Sequence, residues 1–84
     1  MTNIHYTKTA AKGLMRMTKA KSKKIRAGLR KIAAGETRGL KIKKLAGTQA
    51  YRLRIGGYRA IYEFINNRLT ILVLRAEPRG GIYK

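Results

Sequence analysis

The C-terminal half of the sequence contains two short turn signals, each set between stretches of alternating apolar and polar residues. Gly56-Gly57 and Asn66-Asn67 are dipeptides of the kind that close two-residue β-hairpin loops. They divide this part of the chain into three predicted strands, at about 51–55, 58–65 and 68–75. Two consecutive hairpins restrict these strands to an antiparallel meander, so any helices must lie upstream in the chain.

The N-terminal half predicts one short strand followed by two amphipathic helices. Residues 2–7 read as a strand, and Thr7 or Thr9 is placed to cap the first helix. The second helix runs roughly from residue 19 to residue 34 and ends at Gly35, since glycine favours helix C-termini. The apolar positions that recur at helical spacing are Ala10, Leu14, Met17, Ile25, Leu29 and Ile32.

This order of elements predicts an α+β fold. The N-terminal strand and the three-stranded antiparallel meander form one sheet, and an antiparallel helical hairpin packs on one of its faces. The length of 84 residues fits one domain, which we expect to span 1–84. Residues 36–50 are predicted to form a connector that Leu40, Ile42 and Leu45 hold against the core.

Charge is the most informative part of the composition. The sequence contains 21 lysines and arginines against 3 acidic residues, all of them glutamates, which gives a net charge of +18. This excess goes beyond what solubility requires and predicts binding to a polyanion with strong salt dependence. RNA, DNA or an acidic protein fits that description. A membrane surface fits it less well, because no segment combines a basic face with large apolar residues.

Other features of the composition narrow the kinds of site and the compartment. The sequence has no cysteine, which excludes disulfides and cysteine metal sites. The longest apolar run, 69–74, is too short to cross a bilayer, and the first residues lack an apolar signal core. We therefore expect a protein of the reducing cytoplasm.

The first predicted hairpin collects arginines on one face of the sheet, here called the arginine face. With Gly56-Gly57 as a two-residue loop, Arg54 lies opposite Arg59, and Arg52 lies on the same face. Like charges in directly opposed positions destabilise a sheet, and a bound anion would relieve the repulsion between these arginines. Because guanidinium groups bind phosphate oxygens two at a time, the three arginines predict a phosphate site.

The second predicted hairpin extends both faces of the meander. With the two asparagines as the loop, Phe64 lies opposite Leu69. Alternation then places Leu69, Ile71 and Val73 on the core face and Thr70, Leu72 and Leu74 on the arginine face. Glu63 also lies on the arginine face, where we expect it to pair with Arg59. That pairing, together with solvent, is a purely structural alternative to a phosphate site.

The last ten residues, RAEPRGGIYK, contain further candidate site residues. Pro78 is predicted to end the last strand. Gly80-Gly81 permits a turn that brings Arg79 and Tyr83 back over the sheet. A disordered basic tail is the alternative, and composition does not decide between the two.

Three segments together resemble a known family. YRLRIGGYRAIYEF and LTILVLRAEPRGGIYK, preceded by KIKKLAG, are similar to the RelE/ParE superfamily of toxins from bacterial type II toxin–antitoxin systems, and the RelE-like branch fits best. The resemblance covers essentially the whole chain and implies the RelE-like fold. It also implies an mRNA interferase that cuts mRNA in the ribosomal A site and so inhibits translation, without a metal or organic cofactor.

The resemblance also assigns site residues and partners. Arg52 and Arg54 match the family's basic pair before the hairpin turn, and Arg59 matches the arginine that follows the turn. Arg79 and Tyr83 match an arginine and a tyrosine near the C-terminus. The implied partners are mRNA, the ribosome and a cognate antitoxin, an acidic protein whose helix or strand masks the basic surface.

The residue inventory fits metal-free RNA cleavage. Two-metal nuclease sites need clustered carboxylates, whereas this sequence has no aspartate and its glutamates are scattered. In the metal-free route, the 2′-hydroxyl of the RNA attacks the adjacent phosphate while arginines stabilise the negative charge. Because arginine stays protonated, Arg52 and Arg54 are poor candidates for the base. Tyr83 is the best remaining candidate, ahead of His5 and Glu63.

A further set of basic residues is predicted to bind RNA or the ribosome through phosphates, without reading the base sequence. Its members are Lys19, Lys21, Lys23, Lys24, Arg26, Arg30, Lys31, Lys41, Lys43 and Lys44. Most of them lie on the second predicted helix, whose outer side would then face the nucleic acid.

Three other functions fit the same sequence. A ParE-like inhibitor of DNA gyrase would share the fold, so the fold alone does not separate it from an mRNA endonuclease. A non-catalytic RNA- or ribosome-binding protein would share the size and the charge. A degenerate toxin would still bind its antitoxin but would have lost activity.

Overall fold

The computed structural model describes residues 2–78, which form two helices and a mixed five-stranded sheet. In chain order the elements are β1 (Asn3–Tyr6), α1 (Lys8–Arg16), α2 (Lys19–Ala33), β2 (Lys41–Lys44), β3 (Tyr51–Ile55), β4 (Tyr58–Ile65) and β5 (Thr70–Pro78). The strands are ordered β1-β5-β4-β3-β2, with β1 parallel to β5 and the other neighbours antiparallel. The predicted α+β fold is confirmed.

The predicted connector contains a strand that the sequence did not reveal. β2 pairs with β3 along its whole length and adds a fifth strand to the sheet. Of its four residues only Ile42 packs against the core, and its three lysines are exposed. Leu40 also packs against the core as predicted, whereas Leu45 is only half-buried. A short lysine-rich edge strand shows little apolar alternation, and its charges discourage pairing with another chain.

Both helices begin at a threonine N-cap. The Thr7 hydroxyl accepts a hydrogen bond from the backbone N–H of Ala10 at 3.1 Å, and the Thr18 hydroxyl accepts one from that of Lys21 at 3.2 Å. α2 ends just before Gly35, whose φ of 78° costs glycine no strain. Within residues 2–78 neither helix is long and apolar enough to span a membrane.

The core lies between the two helices and one face of the sheet. Its largest fully buried side chains are Leu14, Ile25, Leu29, Leu53, Tyr62, Ile71 and Val73. Tyr51 stacks on Tyr62 with the ring centroids 5.5 Å apart, and Phe64 meets both rings edge-on. Since both helices contribute to this one cluster, they cover the core face, and within residues 2–78 no helix lies on the arginine face.

The second hairpin differs from the prediction in its loop. Phe64 pairs with Ile71 and not with Leu69, so the loop spans four residues, 66–69. Three consecutive loop residues take positive φ values between 52° and 70°. Leu69, which was predicted to face the core, is 57% exposed. Because the register moves by an even number of residues, Ile71 and Val73 still face the core.

A β-bulge in β5 changes which of its residues face the helices. Val73 and Arg75 pair with consecutive residues of β4, so Leu74 has no partner on that strand. Strict alternation from Val73 would turn Arg75 and Glu77 toward the core. The extra residue reverses the alternation, so Ala76 is buried in the core and both charged residues lie on the arginine face.

Candidate functional site

The first hairpin has the predicted register. Arg54 pairs with Arg59 and Arg52 pairs with Ile61, across a turn in which Gly56 has a φ of 58°. Partners in opposed positions point to the same side of a sheet, so the three arginines lie together on the face away from the helices. The structure therefore brings these predicted site residues into one neighbourhood.

β2 and β5 add cations to the arginine face. Lys41 lies beside Arg54 and Lys43 beside Arg52, so two lysines of the predicted RNA-binding set join this face. Arg75 joins it from β5. Two adjacent rows cross the sheet, one of Lys41, Arg54, Arg59 and Glu77 and one of Lys43, Arg52, Ile61 and Arg75. A single carboxylate thus stands among six cationic side chains.

Among the residues that the structure describes, no carboxylate pairs with the side of the arginine face nearest β2. Arg52 and Arg54 are half-buried and line a shallow depression together with Lys41, Ile42 and Lys43. In the part of the chain that the structure describes, neither arginine forms an ion pair. Four cations around a depression with no acidic residue in its lining favour a bound anion.

Arg59, in contrast, has a carboxylate partner. Its Nε and Nη2 atoms both donate to Oε2 of Glu77, at 3.0 and 2.7 Å, and Nε of Arg75 lies 3.7 Å from Oε1. The side chains of Arg59 and Glu77 are 26% and 30% exposed. The expected pairing of Arg59 with Glu63 is wrong. Glu63 lies opposite Leu72, four positions along β4 and therefore roughly 13 Å away.

Most of the predicted RNA-binding set divides between two grooves. The first, called the α2–sheet groove, has Lys24, Lys31, Lys41 and Arg54 around a floor that includes Leu40 and Ile55. The second, called the interhelix groove, has Lys19, Lys23, Arg26 and Arg30 beside Met15 and Met17. Because Lys41 and Arg54 also belong to the arginine face, the α2–sheet groove continues that face around the edge of the sheet.

Three members of the set contact aromatic rings, and one of them is Arg26, whose Cζ atom lies 5.1 Å from the ring centroid of Tyr6. The ammonium group of Lys21 lies 5.8 Å from the ring centroid of Tyr58, and that of Lys44 lies 5.9 Å from the ring centroid of Tyr51. The Lys44 ammonium also donates to the carbonyl oxygen of Thr48 at 2.8 Å. Cation–π contacts of this kind are weakly stabilising, so these two lysines have a structural role in addition to their charge.

The remaining sequence candidates lie away from the arginine rows or outside the described residues. His5 is exposed on β1 beside Leu72, five positions along β5 from Glu77 and thus roughly 16 Å away. Arg79 and Tyr83 follow the last described residue, so their predicted return over the sheet lies outside the described residues. Within residues 2–78, no group of three or more histidine, aspartate or glutamate side chains is placed to hold a metal ion.

Sequence reasoning missed Arg75 and Glu77 as members of this face. The signal that could have revealed them is a conflict within the strand: strict alternation from Ile71 and Val73 would bury both charged residues. A charge–alanine–charge pattern after an apolar run therefore indicates a bulge.

The sequence matches no family model and no curated protein, but the chain is similar to several solved structures. A chain of the archaeal RelE–RelB complex from Pyrococcus horikoshii is 28% identical with a TM-score of 0.75, and the match covers 95% of this chain and 97% of that one. A chain of the RelB–RelE antitoxin–toxin complex from Methanococcus jannaschii is 28% identical with a TM-score of 0.76, and the match covers 94% of each chain. The isolated RelE toxin of E. coli is 16% identical with a TM-score of 0.78, and the match covers 94% of this chain and 85% of that one.

Proposed function

This chain has the fold of the RelE toxins, and from that premise we propose that it is the toxin of a toxin–antitoxin pair and inhibits translation by cutting mRNA in the ribosomal A site. The observation that carries the proposal is the arginine face. Arg52, Arg54 and Arg59 lie together on the side of the sheet away from the helices, with lysines beside them. A polyanionic substrate complements this face and the net charge of +18.

Cleavage at such a face needs no nucleophile from the protein. The 2′-oxygen of the RNA bonds to the adjacent phosphorus and the 5′-oxygen leaves, which produces a 2′,3′-cyclic phosphate and a 5′-hydroxyl. Arg52 and Arg54, which lack carboxylate partners within residues 2–78, would hold the phosphate and stabilise its additional charge. Arg79 and Tyr83 are proposed for the same site on sequence grounds.

We propose an antitoxin as the protein partner. Two of the matched structures are RelE–RelB complexes, and this chain matches them over nearly its full length. The excess of positive charge favours an acidic partner, since complementary charge speeds association and selects among partners. A partner that covers the arginine face would keep RNA from it and so suppress cleavage.

Induced expression tests the proposal directly. We expect growth arrest together with new mRNA 5′ ends inside translated codons, mapped by primer extension. The Arg52→Ala/Arg54→Ala double variant should lose both effects, because removal of one charge-stabilising donor typically lowers the rate about 10²- to 10³-fold. Arg38→Ala is the matched control, since Arg38 is exposed in the loop after α2 and lies outside the arginine face.

Other outcomes would contradict this function. Growth arrest by the double variant without new mRNA ends would rule out cleavage at the arginine face. Accumulation of DNA cleavage complexes with gyrase would indicate a ParE-like inhibitor. Stoichiometric association with ribosomes without toxicity would indicate a non-catalytic RNA-binding protein. If an acidic protein is encoded beside this chain, its co-expression should abolish growth arrest, as expected of a toxin–antitoxin pair.

A further inference from the structure

The proposed reaction needs a group that accepts the proton of the 2′-hydroxyl. Arg52 and Arg54 remain protonated at neutral pH and do not serve as that group. Within residues 2–78, the carboxylate that forms ion pairs on the arginine face is Glu77. Glutamate is ionised at neutral pH in its ordinary state and therefore has a lone pair to accept a proton.

The geometry around Glu77 separates its two oxygen atoms. Oε2 accepts both hydrogen bonds from Arg59, whereas Oε1 lies 3.7 Å from Nε of Arg75, beyond hydrogen-bond distance. Oε1 thus has no hydrogen-bond donor among the described residues. Arg59 in turn uses Nε and Nη2 for the carboxylate, and its Nη1 atom has no acceptor within residues 2–78. One guanidinium can therefore hold the carboxylate and contact a phosphate at the same time.

We propose that Glu77 is the general base of this protein, and that Arg59 is the positioning residue that holds its carboxylate beside the scissile phosphate. The inference rests on the proposed function. Oε1 of Glu77 takes the 2′-hydroxyl proton as the 2′-oxygen bonds to phosphorus. The bond from phosphorus to the 5′-oxygen breaks, and the 5′-oxygen takes a proton from water. Protonated Glu77 then returns its proton to solvent, which completes the cycle.

Glu77 differs from the other carboxylates in the cations that surround it. Arg59 of β4 and Arg75 of β5 face it within the sheet, and Lys12 and Arg16 of α1 line a depression together with Arg75 and Glu77. These cations match the negative charge that the substrate brings to the site. Glu63 lies in a different row of the arginine face, opposite Leu72. Glu36, in the exposed loop after α2 and away from that face, therefore provides the control that removes one carboxylate elsewhere.

Single-turnover cleavage of mRNA on programmed ribosomes tests the inference with the full chain. We expect Glu77→Gln to lower the rate about 10²- to 10⁴-fold, the range that general acid–base catalysis contributes. Ribosome binding should be unchanged or tighter, because a negative charge has been removed. Glu77→Asp, which keeps a carboxylate, should retain more of the wild-type rate than Glu77→Gln. Glu36→Gln should keep the wild-type rate.

The outcomes distinguish the inference from the function on which it rests. If Glu77→Gln cleaves at the wild-type rate, Glu77 is only a counterion of Arg59, and the proposed function stands. If the wild-type protein does not cleave translated mRNA, both proposals are overturned. If Glu77→Gln folds poorly by its thermal unfolding midpoint, Glu77→Asp decides. A rate for Glu77→Asp above that of Glu77→Gln supports a base at residue 77, and a rate no higher overturns it.

Discussion

Tyr62 lies in the core, on the side of the sheet opposite the arginine face. It is 2% exposed, and its ring is stacked on Tyr51. Burial raises the pKa of the Tyr62 phenol to about 12, the charge of Tyr51 adds to this effect, and Arg68 opposes it. Because this phenol keeps its proton well above pH 10, it does not accept a proton at neutral pH, and Tyr62 contributes packing.

The raised pKa of Tyr62 predicts a loss of stability in alkali. The folded protein holds the Tyr62 proton up to about pH 12, whereas the unfolded chain releases it near pH 10. The free energy of unfolding should therefore fall as the pH rises between these values, by roughly 1–3 kcal/mol for this group. The Tyr62→Phe variant has no phenol at this position, so its free energy of unfolding should fall less over the same pH range. Urea denaturation at several alkaline pH values measures the free energy of unfolding of both proteins. An equal fall in both would contradict the raised pKa of Tyr62.

At the scale of elements, α1 supports the strand that carries Glu77. β1 pairs with β5 only as far as Val73, and beyond that point α1 lies against β5. The Thr7 hydroxyl donates to the carbonyl oxygen of Leu74 at 3.0 Å, at the bulge. A Cβ atom built on Gly13 would overlap the carbonyl oxygen of Ala76, so the helix backbone approaches the strand as closely as glycine allows.

This close approach predicts that Gly13→Ala destabilises the fold. Alanine improves helix propensity by about 1 kcal/mol, but here its methyl group meets a backbone atom that moves only with β5. We expect a net loss of about 1–3 kcal/mol in the free energy of unfolding, measured by urea denaturation. Gly28→Ala is the comparison, since its methyl would meet side-chain carbons of Ile55 and Leu53 at 2.8 and 2.9 Å, which can rotate. Equal losses of the free energy of unfolding in both variants would show that contact with the backbone of β5 costs no more than contact with side chains.

The elements that sequence could predict are those with local signals. The threonine caps and the apolar spacing specify both helices, and the Gly56-Gly57 turn specifies the register that brings Arg52, Arg54 and Arg59 together. β2 escaped prediction because it has one core-facing residue and forms by pairing with β3, which is distant in sequence. The four-residue loop and the bulge likewise depend on how β5 packs.

The candidate site shows the same division between local and tertiary signals. A tight turn was sufficient to place the arginines, but the position of Glu77 depends on the unpaired Leu74 and on the contact of α1 with β5. The predicted Glu63–Arg59 pair failed for that reason. Glu63 lies on the same strand as Arg59, whereas Glu77, the actual partner, lies on the neighbouring strand.

Positive charge is spread over the whole molecule, but within residues 2–78 ion pairs with a carboxylate form at one place only. Within residues 2–78 both ion pairs involve Glu77, so the α2 lysines and the side of the arginine face nearest β2 have no carboxylate partner. The α2–sheet groove joins these two regions around the β2 edge. A polyanion bound to the arginine face would therefore meet a continuous path of cations toward α2, and its affinity should depend strongly on salt.

This path predicts unequal effects for two variants that each remove three positive charges. One removes lysines of the α2–sheet groove, Lys24→Ala/Lys31→Ala/Lys41→Ala, and the other removes cations of the interhelix groove, Lys19→Ala/Lys23→Ala/Arg30→Ala. Each phosphate contact with single-stranded RNA contributes about 0.7 to the slope of log affinity against log salt concentration. The first variant should reduce that slope by roughly 2, and the second by less, because its groove does not adjoin the arginine face. Both variants have the same net charge, so equal losses of slope would mean that only total charge matters and that the groove is not the path of the RNA.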